Sequence, residues 1–437
     1  MPDINLEIDK VPYLYDTSGR IWINGNNVYR IIEDKESIEN YKHLLKSPNI
    51  DKLFSCGLIE TWIKEELLEK RILILEHKRI PFILHPSEYT NQMFWQAACM
   101  FVKVNSLLWS EGFLTHDSHP WNISYDGSKP VFYDFGSIKK TNVVSDAWLN
   151  EFYAGFLVPI WLSSYSHKTF KFSKEYRREH AKGFALELFN STKLKKTLFR
   201  KIRSFYKFRN NPERLFKELL KWLHAHEPLK VKPEYWSEYY KNSGLDYTRP
   251  ENIKQRFVNK ILQENKPSKV LDLASNKGYF AKMAAAHGAE VMAFDYEEEV
   301  VNTFISSGNP GNMITPAHMD FNKPTSALGA GLFWENSFKR FNSDIVLALG
   351  LIHHICISQA TPVFLFCKTC MNYAEDGIIL EFVDPEDIHV ACWKKEVPKD
   401  YSIDKIKEFM KPKFPHCTFS EIDTKDGLNR TYLFFQK

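Results

Sequence analysis

The chain has 437 residues, 44% of them hydrophobic, and a mean hydropathy of -0.37; this apolar content suffices for large buried cores, and the length points to two or three domains. Its net charge of +4 and pI near 8.4 are mild beside those of a nucleic-acid binder, whose domain pI more often exceeds ~9. No stretch reaches the ~18 consecutive apolar residues of a membrane span, and the opening MPDINLEIDKVP lacks the charged and apolar regions of a signal peptide.

The seven cysteines are scattered, as expected of reduced thiols in a cytoplasmic protein. Only Cys367 and Cys370 form a CxxC. Without a second pair or nearby histidines, they are expected to be small apolar residues on a buried helix, with no metal site.

In chain order, residues 12–34 hold two β-rich runs flanking Asn24-Gly25, a hairpin signal. Residues 66–84 add a strand-like run ending in RIPFIL. From Ser87 to Trp109, apolar residues recur at helical spacing. In HDSHPWNISYDGSKPVFYDFGSI, from His116 to Ile138, Asp117 precedes Asn122 by five residues and Asp134 opens a DFG twelve residues later. In phosphoryl transfer one Asp orients a hydroxyl, while an Asn and a second Asp hold magnesium. Residues 145–225 are aromatic, then basic, and helical in pattern. LKKTLFRKIRSFYKFR mixes basic and aromatic residues and is expected to be a solvated amphipathic face rather than an RNA contact.

Prolines and turn residues between 226 and 250 mark a connection, dividing the chain into domains 1–235 and 236–437. Beyond it, KVLDLA, AEVMAFD, SDIVLALG and DGIILEFV read as buried strands. They alternate with helices in GYFAKMAAAHG, EEEVVNTFISSG and around Pro362 to Tyr373. This predicts an α/β domain, with a parallel sheet covered by helices on both faces.

In such a sheet, ligands bind at the carboxyl ends of the strands. The first strand ends in LDLASNKGYF, where Asp272 is followed by the small residues Ala274 and Ser275, and Gly278 opens the helix. Small residues let a nucleoside approach the backbone. The second strand ends at Asp295, placed to accept both hydroxyls of a ribose. In HMDF, Asp320 is placed to accept from an adenine amino group and Phe321 to flank the ring. In order and type these motifs resemble the class I S-adenosylmethionine-dependent methyltransferases, with a Rossmann-like sheet. The resemblance implies that Asp272, Ala274, Ser275 and Gly278 line the methionine and ribose side, that Asp295 holds the ribose, and that Asp320 faces the adenine. Ala274 and Asn276 stand where glycines are usual, which makes the turn less permissive. The GxGxxG of a NAD site is absent.

The fourth strand leads into Gly350, His353 and His354. Methyl transfer is an in-line displacement, so the protein positions the nucleophile and removes its proton; histidine does this near neutral pH. Adjacent helical histidines are expected to point ~100° apart, so that both do not face one substrate. Glu381 and Asp384 lie near the same rim, to bind a polar substrate or cap the next helix; Glu381 joins His353 and His354 as a catalytic candidate. The Pro-Pro-Tyr type motif of nucleic-acid amine methyltransferases is missing, which favours a hydroxyl acceptor.

The Asp117, Asn122 and Asp134 spacing resembles aminoglycoside-phosphotransferase-like kinases, which implies Mg·ATP. Against this, no GxGxxG precedes it, and Arg30 stands where a lysine is expected. The alternative is a kinase-like scaffold in which Asp134 and Asn122 satisfy a tight turn. From about residue 70 to the end, the stretches ILEHKRIPFIL, HDSHPWNI, KPVFYDFGSI, LIHHI, LEFVDPED and NRTYLFF resemble, in order, bacterial class I methyltransferases described as nodulation-protein-like. Three functions follow as expectations. The first is O-methylation of a small-molecule or glycan hydroxyl, with the N-terminal half binding the acceptor. The second is a bifunctional kinase-methyltransferase acting on a saccharide. The third is a non-catalytic or RNA-binding protein.

Overall fold

The structure is a computed structural model that describes residues 19–165, 204–229, 247–306 and 312–437. The chain divides into two compact units, Met1–Leu229 and Lys230–Lys437. Most of the basic segment 194–209 and most of the expected connection lie outside the described residues.

The first unit opens with the expected hairpin. Strands β1 (Arg20–Asn24) and β2 (Asn27–Ile32) pair antiparallel up to Asn24 and Asn27. Gly25 takes the positive φ (58°) that this turn requires. Helices α1 (Lys35–Leu45) and α2 (Ile50–Cys56) follow. Strands β3 (Thr61–Leu67) and β4 (Ile72–His77) then complete a sheet of order β1-β2-β4-β3. RIPFIL is not a strand: pairing in β4 ends at His77, ahead of Pro81. Helix α3 (Asn91–Ser110) starts later than its apolar pattern, because Thr90 caps it by accepting from the Met93 N–H. Two short antiparallel pairs come next. They are β5 (Phe113–Thr115) with β8 (Ile138–Lys140), and β6 (Ile123–Asp126) with β7 (Lys129–Phe132). Helices α4 (Asp146–Phe152), α5 (Val158–Tyr165) and α6 (Pro212–Ala225) end the unit. Phe101 of α3 stacks on Trp148 and Phe152 of α4.

The second unit is a seven-stranded sheet. Its strands are β9 (Lys269–Leu273), β10 (Glu290–Asp295), β11 (Ile314–His318), β12 (Ser343–Ala348), β13 (Ala374–Val383), β14 (His416–Phe419) and β15 (Arg430–Gln436), in the order β11-β10-β9-β12-β13-β15-β14. The first five run parallel. β15 returns antiparallel against β13, and β14 pairs antiparallel with β15. Helices α7 (Ile253–Asn265), α8 (Tyr279–Ala286) and α9 (Glu298–Ser306) cover one face. There Val258, Ala281 and Phe304 pack with Val270, Val291 and Ile345. Helix α10 (Val363–Tyr373) covers the other face, its Tyr373 ring meeting Phe294. Cys367 and Cys370 lie fully buried on α10. The strand order reverses between β9 and β12, which places a topological switch point at their carboxyl ends. A parallel sheet wound on both faces in this way is Rossmann-like.

Candidate functional site

Asp272 sits near the end of β9, 3% exposed. Burial pushes its carboxyl up to about 7, against the pull of the Lys254 ammonium. Its Oδ2 is buried and has no hydrogen-bond partner. The turn that follows carries three positive φ angles, 55° at Ala274, 46° at Asn276 and 71° at Gly278. The backbone keeps a left-handed shape even where glycine is absent. Ser275 donates its N–H to the Phe294 carbonyl at 3.0 Å, tying the turn to β10. Asp295, at the end of β10, closes the link: its Oδ2 accepts from the Asn276 N–H and its Oδ1 from the Glu297 N–H, both at 3.0 Å. Burial raises the Asp295 carboxyl, while these N–H groups oppose the rise. A carboxylate oxygen with one such bond can still accept another. The turn and the second acid therefore form one hydrogen-bonded unit.

Not every expected ligand-lining residue faces open space. A Cβ on Gly278 would lie 1.5 Å from the Phe304 ring, so this glycine serves the packing of α9. Asp320 accepts from the Asn322 N–H at 2.9 Å, closing its own turn. Phe321 is buried with its ring centroid 5.1 Å from that of Phe366. Gly350 (φ 64°) is more open; a Cβ there would meet only Glu381 Oε2, at 3.8 Å.

Glu381, on β13, is fully buried between two cations. Its Oε2 lies 2.5 Å from Lys254 Nζ and its Oε1 3.1 Å from Arg430 Nη1. Burial alone would raise this carboxyl, but the two cations outweigh it and hold it below the usual range. Arg430 also bonds Asp387 at 2.9 Å. Asp387 caps the short helix Ile388–Ala391 by accepting from His389. Asp384 accepts from the Glu386 N–H, a local turn cap. None of Lys254, Arg430 or Asp387 stands out in the sequence as a site residue. Arg430 was findable, because an antiparallel strand after β13 must begin at the carboxyl edge. Lys254 carries no local signal.

The two histidines depart from expectation. Their ring centroids are 4.1 Å apart, and Trp393 lies 5.6 Å from His353 and 5.0 Å from His354. The expected divergence assumed α-helical spacing. The chain forms a π-helical turn at His354–Ser358, and Trp393 covers both rings. Burial pushes His353 down to about 2 and His354 to about 4, so both stay neutral at physiological pH. His353 Nδ1 is buried without a partner.

In the first unit, Asn122 Nδ2 donates to Asp134 Oδ2 at 3.1 Å. Arg30, reaching in from β2, meets Asp134 Oδ1 at 3.2 Å. Asp117 is half-buried, with its N–H donating to Ser137 Oγ at 3.1 Å. Its carboxylate groups with His119 and Glu151, their ligand atoms within 4.8 Å of one another.

The second unit thus sets two buried acids at the ends of adjacent parallel strands, beside the switch point of the sheet. No family model matches the sequence. The chain is 27% identical over 362 residues to the nodulation protein NoeA of Rhizobium meliloti strain 1021, covering 75% of each chain. Among solved structures, it is similar to an O-methyltransferase-described protein of Nostoc punctiforme PCC 73102 (15% identical, 42% of this chain and 55% of that one, TM-score 0.31). It is also similar to the bifunctional kinase-methyltransferase WbdD (17% identical, 47% of this chain and 44% of that one, TM-score 0.34). These matches span about half of the solved chains' own length, and likeness at this level carries no statement about reaction or substrate.

Proposed function

We propose that the second unit is an S-adenosylmethionine-dependent methyltransferase acting on a hydroxyl of a small molecule or glycan. One observation carries this reading. A buried, unpartnered Asp272 oxygen lies at the switch point, beside a turn hydrogen-bonded to Asp295. The residues fit a zwitterionic nucleoside ligand. Asp272 offers a free acceptor to its ammonium, Ala274 and Ser275 border it, and Asp295 keeps acceptor capacity for ribose hydroxyls. Asp320 keeps acceptor capacity for an adenine amino group, whereas Phe321 is committed to Phe366. The cofactor, when bound, supplies an activated methyl group on a sulfonium.

The chain's own residues would position the acceptor. Neutral His353, its buried Nδ1 unpartnered, would accept a hydrogen bond from a hydroxyl and orient its oxygen, with the His354 ring packed against it. Trp393 fixes both rings. Glu381, held ionised between Lys254 and Arg430, fixes the strand ends rather than taking a proton. Among the described residues, no helix is long and apolar enough to cross a membrane.

Calorimetric titration with S-adenosylmethionine tests the reading. The full chain is expected to bind, and Asp295→Ala to bind at least tenfold more weakly. Unchanged affinity in that variant would sink the assignment. His353→Ala and His354→Ala are expected to differ strongly in turnover with cofactor affinity preserved; wild-type rates in both would remove histidine from the chemistry.

A further inference from the structure

The first unit pairs Asp134 of a DFG with Asn122 of the preceding loop, the two residue types that hold magnesium in protein kinases. The surroundings do not suit a metal. Both Asp134 oxygens already face donors, the Asn122 amide on Oδ2 and the Arg30 guanidinium on Oδ1. Magnesium demands oxygen ligands at ~2.0–2.1 Å in near-octahedral geometry and keeps several waters. Arg30 is 3% exposed, and a guanidinium is a permanent cation in proteins. A second cation brought to the same carboxylate would meet it at short range in a medium that screens poorly. On the phosphate side, the β1–β2 turn among the described residues is the dipeptide Gly25-Asn26, with no glycine-rich run.

We propose that the Arg30 guanidinium takes the place of a divalent cation at Asp134, so that the loop persists as an internal ion pair and the unit carries no metal-dependent phosphoryl transfer. The pairing makes structural sense of the retained motif. Arg30 on β2 cross-links the sheet to the segment that follows β7, and Asn122 supplies a second donor to Asp134. The motif is then held by folding, not by nucleotide chemistry.

Manganese titration of the full chain, read by the loss of the free-ion electron paramagnetic resonance signal, tests this directly. The readout is the part of binding that depends on Asp134, because Asp117, His119 and Glu151 lie close enough to bind an ion by themselves. Wild type and Asp134→Asn are expected to bind manganese alike. Arg30→Gln, which removes the charge, is expected to gain a site at least tenfold tighter than any in wild type, and Arg30→Gln combined with Asp134→Asn to lose it. A wild-type site abolished by Asp134→Asn would overturn the proposal. So would an Arg30→Gln protein that folds but gains nothing. Should Arg30→Gln not fold, the comparison of wild type with Asp134→Asn still decides, as does a Mg·ATP titration, for which no Asp134-dependent heat is expected.

Discussion

Ala274 and Asn276 hold φ angles of 55° and 46°, a region that residues with a Cβ seldom enter. Asparagine tolerates it through local hydrogen bonding; alanine has no such help, and the left-handed region costs it about 1–2 kcal/mol. The turn therefore keeps its shape at a local cost, held by the bonds from Ser275 and Asn276 to β10. Ala274→Gly relieves the strain but loosens the unfolded chain, so a net gain of about 0.5–1 kcal/mol is expected in urea unfolding. A loss would mean that the turn is not strained. Gly278 is the opposite case, because a Cβ there overlaps Phe304. Gly278→Ala is expected to cost at least about 2 kcal/mol by overpacking, and Phe304→Leu in the same chain to recover part of it. No recovery would place the clash elsewhere.

In the second unit, strands β9, β10, β12 and β13 and helices α8, α9 and α10 were legible because each is a short apolar run or a helical repeat bounded by turn residues, whereas α7, β11 and β14 were not. What binds the elements to one another was not. Lys254 lies on α7 and meets Glu381 of β13 127 residues later; no spacing rule connects them. Arg430 opens β15, which the apolar pattern alone does not mark although NRTYLFF carries part of the family resemblance. From there it joins Glu381 and Asp387, both fully buried. Removing one member of a buried ionic cluster leaves charge uncompensated and costs about 3–5 kcal/mol. Arg430→Leu is expected to fall in that range by urea unfolding. A cost below about 1 kcal/mol would show that the cluster is open to water. The paired histidines were misread for a related reason. Periodicity assumed an α-helix, and the π-helical turn and Trp393 belong to tertiary packing.

Across the whole chain, the sequence pattern led to the α/β class and the parallel sheet, whereas the pH response emerges only from burial. Three histidines, in both units, have folded values far below the ordinary 6.5: His77 at about 3, His353 at about 2 and His354 at about 4. Burial is the main cause each time. The unfolded chain takes up their protons near pH 6.5 and the folded chain does not, so their contribution is present above that pH and is lost as the pH falls toward 4. Asp272 works against them. Its folded value, about 7, lies above the unfolded 3.8. Its contribution is full below 3.8 and is lost as the pH rises through 7, so acidification over that window stabilises the fold. Replacing it removes this opposing effect. Asp272→Asn is therefore expected to lose stability between pH 7 and 4 more steeply than wild type, by about 1.4 kcal/mol per pH unit. Urea unfolding at pH 7.5, 6 and 4.5 measures the difference. Equal slopes would mean that Asp272 titrates as an ordinary exposed carboxyl. Ligand binding should report the same group. If the unpartnered oxygen of Asp272 meets the ammonium of S-adenosylmethionine, affinity strengthens as the pH rises from 6 to 8 in wild type and stays flat in Asp272→Asn.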